Sequence, residues 1–176
     1  MLARRKMSSS TLDRSAVINT GPIIALVAAR QSLEILPQLY SKLILPRAVW
    51  NELMAGGPGY PEIKALEGLA NKVEIPPEEI HVTDTRAMTL DAGEAAVIQT
   101  ALDTGISRVI IDEKLGRKVA AHCGLKVTGS LGVLVRAKNL GLIANITPSL
   151  QSMTRAGVRI SPLLRRLALE QAGELS

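Results

Sequence analysis

Short β-branched runs alternate with longer helical patterns along most of this chain, the signature of βαβ units built on a mostly parallel sheet. The runs are "AVIN" (16–19), "KLIL" (42–45), "VEI" (73–75), "RVIID" (108–112) and "LKVTG" (125–129). The segments between them carry readable ends. Pro46 follows "LIL" where a proline is tolerated in a first helical turn, and "RAVWNELMAGG" finishes in the glycines expected past a helix C-terminus. In "LDAGEAAVIQTALDTG" Asp91 is placed as N-cap with Glu94 three residues on. Ala95, Ile98, Ala101 and Leu102 then form an inward stripe, and Gly105 is the stop. "EKLGRKVAAHCG" and "SLGVLVRAKNLG" repeat the scheme. "SPLLRRLALEQAG" opens on a capping Ser161 and a first-turn proline, and puts Leu163, Leu164, Leu167 and Ala168 on one face, which by default packs on the chain's own core.

No internal repeat interrupts this order. Residues 1–14, with the run "SSST", read as a flexible basic arm; residues 15–176 read as one domain, with C-terminal helices from about 147 packing on it. At 176 residues and 47% apolar content the chain supports one large core. It has no Phe, and Trp50, Tyr40 and Tyr60 are the only aromatics, so that core is built from Leu, Ile, Val and Ala.

Charge changes the picture less than the total suggests. The formal net charge is +5, yet residues 1–14 carry +3 and residues 154–176 carry +2. The body from 15 to 153 is balanced, with thirteen basic and thirteen acidic residues, so the basic pI is weak support for nucleic-acid binding. Cys123 stands alone, which rules out a disulfide framework and points to a reducing, cytoplasmic setting. Only His81 and His122 accompany it, too few for a Cys/His zinc site. "PIIALVAA" behind the N-terminal arginines imitates a signal peptide, but polar residues and an Asn-Thr-Gly-Pro break separate the two. No segment approaches the ~18 uninterrupted apolar residues of a membrane span, so no membrane partner is expected.

The candidate chemistry is acidic. "AVIN" and "RVIID" both end in a polar residue directly before a helix, and in parallel sheets such strand ends face the functional crevice, so Asn19 and Asp112 are expected to converge. Glu52 in "VWNEL" and Glu94 in "DAGEAAVI" sit on helices that open after strands, and Glu113 is adjacent to Asp112. Clustered carboxylates repel unless a cation is present. Oxygen-only donors without His or Cys select a hard ion, Mg²⁺ or Mn²⁺, and such an ion activates water against a phosphoryl group. Each residue also has a purely structural role open to it. Asn19 fits an N-cap, Glu94 completes a capping box with Asp91, Glu52 fits a solvated helix face, and Asp112 fits a cap for the following helix. Other phosphate chemistries lack their residues: "NTG" has no Asp nucleophile, "TGSLG" has no complete dinucleotide fingerprint, and no Walker loop occurs.

The ordered pieces "VINTGPIIAL", "LILPRAVWNEL", "LDAGEAAVIQTAL" and "VIIDEKLGRKVAAHCGLKVTGSLGVLVRAKNLGLI" resemble the PIN-like family DUF3368, over most of residues 16–143. The resemblance implies a three-layer α/β/α fold with a central, mostly parallel sheet of four to five strands. It implies a metal-dependent nuclease using Mg²⁺ or Mn²⁺ on single-stranded RNA, acting as an RNA processor or as a toxin paired with an antitoxin protein. Within it, Asn19 stands where a first Asp is usual. Glu52 and Glu94 match the helical acids, Asp112 matches the acid after the fourth main strand, and Glu113 matches a frequent second acid. Thr128 and Ser130 match a polar turn near the site.

Asn19 departs from the pattern by carrying no charge, which lowers the expected cluster charge and the expected activity. The rival function is therefore an inactive RNA-binding or protein-interaction module. Arg117, Lys118, Lys126, Arg136 and Lys138 follow Asp112 and are candidates to neutralise RNA phosphates, although Arg117 and Lys118 equally suit a solvated helix face. With three aromatics, base stacking is not expected to drive recognition. The Leu-rich final helix also leaves a homodimer open.

Overall fold

The computed structural model describes residues 14–175. Its centre is a five-stranded sheet in which every pairing is parallel: β1 (Ser15–Ile18), β2 (Lys42–Ile44), β3 (Val73–Glu74), β4 (Arg108–Ile110) and β5 (Lys126–Thr128). Four fall within the expected apolar runs, and β1 begins one residue before its run, at Ser15. The spatial order is β3-β2-β1-β4-β5. The chain thus builds outward from β1 to β3, returns to the far side of β1, and builds outward again.

Helices fill the connections: α1 (Thr20–Arg30), α2 (Ile35–Leu39), α3 (Arg47–Ala55), α4 (Pro61–Glu67), α5 (Ala92–Thr104), α6 (Lys114–His122), α7 (Ser130–Asn139), α8 (Thr147–Arg155) and α9 (Pro162–Gln171). α5 lies against β1 and β4 with α3 and α6 beside it; α1 packs on α8, α4 and α7, and α9 on α7. This is the three-layer α/β/α arrangement. Helix ends obey local rules. The Asp91 side chain accepts from the Glu94 N–H at the start of α5, and Gly105 ends that helix at φ 73°, a conformation that costs glycine nothing. Ser161 caps α9 by accepting from the Leu164 N–H.

The core is aliphatic, as the composition requires. Ile18, Ile23, Leu26, Ile44, Ile98 and Ile110 are fully buried where α1 and α5 clasp the sheet. Each such side chain stabilises the fold by roughly 1.5–3 kcal/mol, and Leu26→Ala would cost about 2–5 kcal/mol because a close-packed core closes poorly over a void. The final helix departs from its pattern: Ala168 is buried, but Leu163, Leu164 and Leu167 are exposed. α9 rests on α7 at the margin of the molecule, so a stripe that periodicity alone turns inward has too little protein to face. The basic arm expected over 1–14 lies outside the described residues as far as 13. Arg14 is tied to the sheet, its carbonyl accepting from the Ser41 N–H at 2.9 Å.

Candidate active site

The reversal of strand order between β1 and β4 decides where a site can form. Their following helices leave on different courses, and a crevice opens at the strand C-termini. Asn19 and Asp112 stand at that crevice. Val17 is level with Val109 and Ile18 with Ile110, and the Asn19 N–H donates to the Ile110 carbonyl at 3.0 Å. Asn19 is N-terminal to α1, yet its side chain makes no capping bond. Its Oδ1 is buried without a hydrogen-bond partner. Asp112 does not cap the helix that follows it either. Its Oδ1 accepts the Ser130 N–H at 2.7 Å, joining the end of β4 to the first turn of α7.

The helical acids approach from α3 and α5. Glu52 Oε2 accepts the Thr20 hydroxyl at 2.6 Å, which fastens α3 to the start of α1. Asp91 and Glu94 bracket the first turn of α5, and Glu94 Oε1 is a second buried oxygen with no partner. The capping box is therefore made from Asp91 alone at these atoms. Glycine permits the convergence. A Cβ on Gly93 would lie 2.9 Å from Glu52 Oε2, 3.2 Å from Asn19 Oδ1 and 3.5 Å from Asp91 Oδ1. A Cβ on Gly116 of α6 would lie 2.5 Å from Glu94 Oε1, and one on Gly129 would lie 2.6 Å from Asp112 Oδ1.

Electrostatics follow from this crowding. Burial first, then the charges of Asp91, Glu113 and Glu52, push Glu94 up to about 7. Burial also raises Asp112 above its ordinary range, while the bonds from Ser130 and the nearby Arg117 guanidinium limit the rise. Asn19 and Glu94 are buried, at 5% and 4% exposed, which is why desolvation leads among the causes acting on Glu94.

Asp91, Thr20, Gly93 and Gly116 are site components that sequence reasoning passed over. Asp91 is legible as a cap, and in the fold it also acts on Glu94 through its charge. The signal available was the pair of small residues in "DAGE", which leaves room for a neighbour's carboxylate against the helix.

The expected basic residues divide. Arg117 is beside Asp112, but its guanidinium donates to the Ile111 carbonyl at 2.8 Å, so it braces the loop. Lys118 is exposed on α6. Thr128 ends β5, and Ser130 is buried with its N–H on Asp112. Arg136 and Lys138 are not brought to the acids. α7 starts at the crevice and runs back toward the opposite end of the strands. There Arg136 lies over the Tyr40 ring, 5.4 Å from its centroid, and Lys138 pairs with Glu174 at 3.0 Å. Lys126 opens β5 at that same opposite end. A cavity of about 510 Å³ by β2 and β3 is likewise remote from the acids, and its Lys42 and Glu74 pair with each other at 2.8 Å.

Among the described residues, no three His, Cys, Asp or Glu side chains close into a group that would hold a metal ion. The donor chemistry nonetheless fits a hard divalent cation. All donors are oxygens, two of them are buried without a partner, and the surrounding carboxylates repel one another.

An all-parallel α/β sheet with an acidic crevice at its strand-order reversal is the framework of a nuclease-like module. The chain belongs to the family DUF3368, a PIN domain, whose model matches residues 15–174. PIN domains are generally nucleases and typically use divalent metals. Comparison with the curated proteins gives no match.

Proposed function

We propose that this protein is a metal-dependent endoribonuclease that hydrolyses phosphodiester bonds in single-stranded RNA. The observation that carries the reading is the crowding of buried oxygens at the ends of β1 and β4, with Asn19 Oδ1 and Glu94 Oε1 left unpaired. Glu52, Glu94 and Asp112, with Asn19 and Glu113 beside them, would hold Mg²⁺ or Mn²⁺. When bound, such an ion polarises the phosphoryl oxygen and lowers the pKa of an attacking water. Asn19 contributes a neutral oxygen, and Thr20 and Ser130 position Glu52 and Asp112 through their hydrogen bonds. Burial and the neighbouring acids keep Glu94 protonated to higher pH than an ordinary glutamate, and it would release that proton on binding the ion.

A cytoplasmic setting, with an antitoxin-type protein or a second copy of the chain as partner, extends the same reading. No helix among the described residues is long and apolar enough to cross a membrane. A second reading, a binding module that has lost its chemistry, is favoured by the uncharged Asn19 and by the open arrangement of the acids. Incubating the purified protein with single-stranded RNA and Mn²⁺, beside Asp112→Asn and Glu94→Gln, separates the two. Cleavage by the wild type alone supports the nuclease; equal cleavage by all three proteins identifies a contaminant and removes the claim.

A further inference from the structure

Two cavities open on Asp112, one on each side of it. The first, about 320 Å³, runs between α1 and the α8–α9 segment, and has Ile24, Met153 and Ile160 among its walls. The second, about 340 Å³, lies between β5, α7 and α9, and has Val127, Val135 and Leu167 among its walls. They share three residues: Asp112, Leu131 and Leu164. The two leucines form a ridge between the cavities, with the carboxylate at its foot.

We propose that these cavities are a pair of nucleoside pockets. Neighbouring bases of a single strand lie one in each, splayed around the Leu131–Leu164 ridge, and the phosphodiester between them is presented to Asp112. This inference rests on the nuclease reading of the same site and adds to it where the bases go.

Size, lining and charge support that occupant. Each volume lies at the lower end of the range for small-ligand sites, room for one nucleoside and too little for two. The linings join aliphatic walls to polar and charged groups: Asp112, Glu113, Ser130 and Arg159 in the first, and Asp112, Arg117, Thr128 and Gln171 in the second. That mixture suits a base, which is apolar on its faces and hydrogen-bonding at its rim. The chain's shortage of aromatics removes stacking as the means of holding it, and aliphatic walls take its place. Exposure agrees: Ile24, Leu164 and Leu167 are 41%, 53% and 41% exposed, a concentration of uncovered apolar side chains around one acidic crevice. Arg159 supplies the complementary charge. It is exposed in the α8–α9 turn, lines the first pocket with Asp112 and Glu113, and has no carboxylate partner among the described residues. A polyanion crossing the crevice therefore finds acids at the centre and a cation at its edge.

The test uses the full chain and two fluorescent oligonucleotides of equal length, oligouridylate and the same ribose-phosphate chain without bases. Binding is followed by anisotropy over a salt series, and cleavage in Mn²⁺ is followed separately. Oligouridylate is expected to bind at least tenfold more tightly than the abasic chain. Leu164→Asp is expected to erase that difference, and Leu164→Ala to reduce it. Both side-chain changes are at a half-exposed position, and circular dichroism checks the fold. Arg159→Gln is expected to weaken both oligonucleotides equally and lower the salt slope by roughly 0.7, the value for one single-strand phosphate contact. Equal binding of the two chains by the wild type, or a base preference that survives Leu164→Asp, overturns the pockets. Cleavage of both chains alike overturns them while leaving the nuclease reading standing. Base-dependent, Leu164-dependent binding without any cleavage in Mn²⁺ establishes the pockets and removes the nuclease.

Discussion

Replacing Glu94 by Gln keeps the shape of the side chain and removes a charge that the fold opposes. Glu94 has a value of about 7 in the folded protein against 4.5 for the free side chain. Between those pH values the folded state binds more protons than the unfolded state, so stability falls as pH rises from 4.5 through 7. Two and a half units correspond to roughly 3 kcal/mol, and solvent at the crevice mouth reduces this to on the order of 1–2 kcal/mol. In metal-free buffer Glu94→Gln should therefore be more stable than wild type by that amount at pH 8 and nearly equal to it at pH 5. Urea unfolding followed by circular dichroism at the two pH values measures the difference. The same stability increment at both would refute the electrostatic account and assign the effect to packing.

Gly93→Ala should destabilise the fold by about 1–3 kcal/mol, because a Cβ there must displace the Glu52 carboxylate 2.9 Å away, which Thr20 holds, and crowd the buried Asn19 Oδ1 at 3.2 Å, while helix propensity gains little in a first turn. The same shift strains the Thr20–Glu52 bond, so Mn²⁺ affinity measured by calorimetry should fall; unchanged affinity would separate Gly93 from the site. Asn19→Asp adds a charge to the cluster, and it should lower the stability of the metal-free protein while tightening Mn²⁺ binding by roughly tenfold, about 1.4 kcal/mol. Glu174 tests a structural acid. Burial alone would raise it, but bonds from Thr147, Ile146 and Lys138 hold it at about 2. Its contribution is complete above pH 4.5 and is lost as pH falls through 2. Glu174→Gln should cost on the order of 1–2 kcal/mol at pH 7, after discounting for its solvent contact, and less at pH 3, with thermal melts as the measure.

These tests divide between features visible along the chain and features that needed the fold. Asp91 and Gly105 were legible as the ends of α5 because capping acts within three or four residues. Glu174 was not legible as the residue that satisfies the start of α8, since its partners Ile146 and Thr147 are 28 and 27 residues away. Asn19 shows the difference most sharply. Its position before α1 was plain, but whether its side chain caps that helix depends on what stands opposite, and Gly93 and Glu52 arrive from distant elements.

Hydrophobic period and helix punctuation are short-range properties, so the five strands, most of the helices between them and the acids at their ends are readable along the chain. Which charges meet is settled by packing across the sheet. Packing tied Thr20 to Glu52 across 32 positions. It sent Arg136 and Lys138 to the far end of the sheet and left Leu164 uncovered beside Asp112. The physical reason is that burial and electrostatic environment belong to the whole packed molecule, and a residue's neighbours across a sheet are chosen by topology, not by its place in the chain.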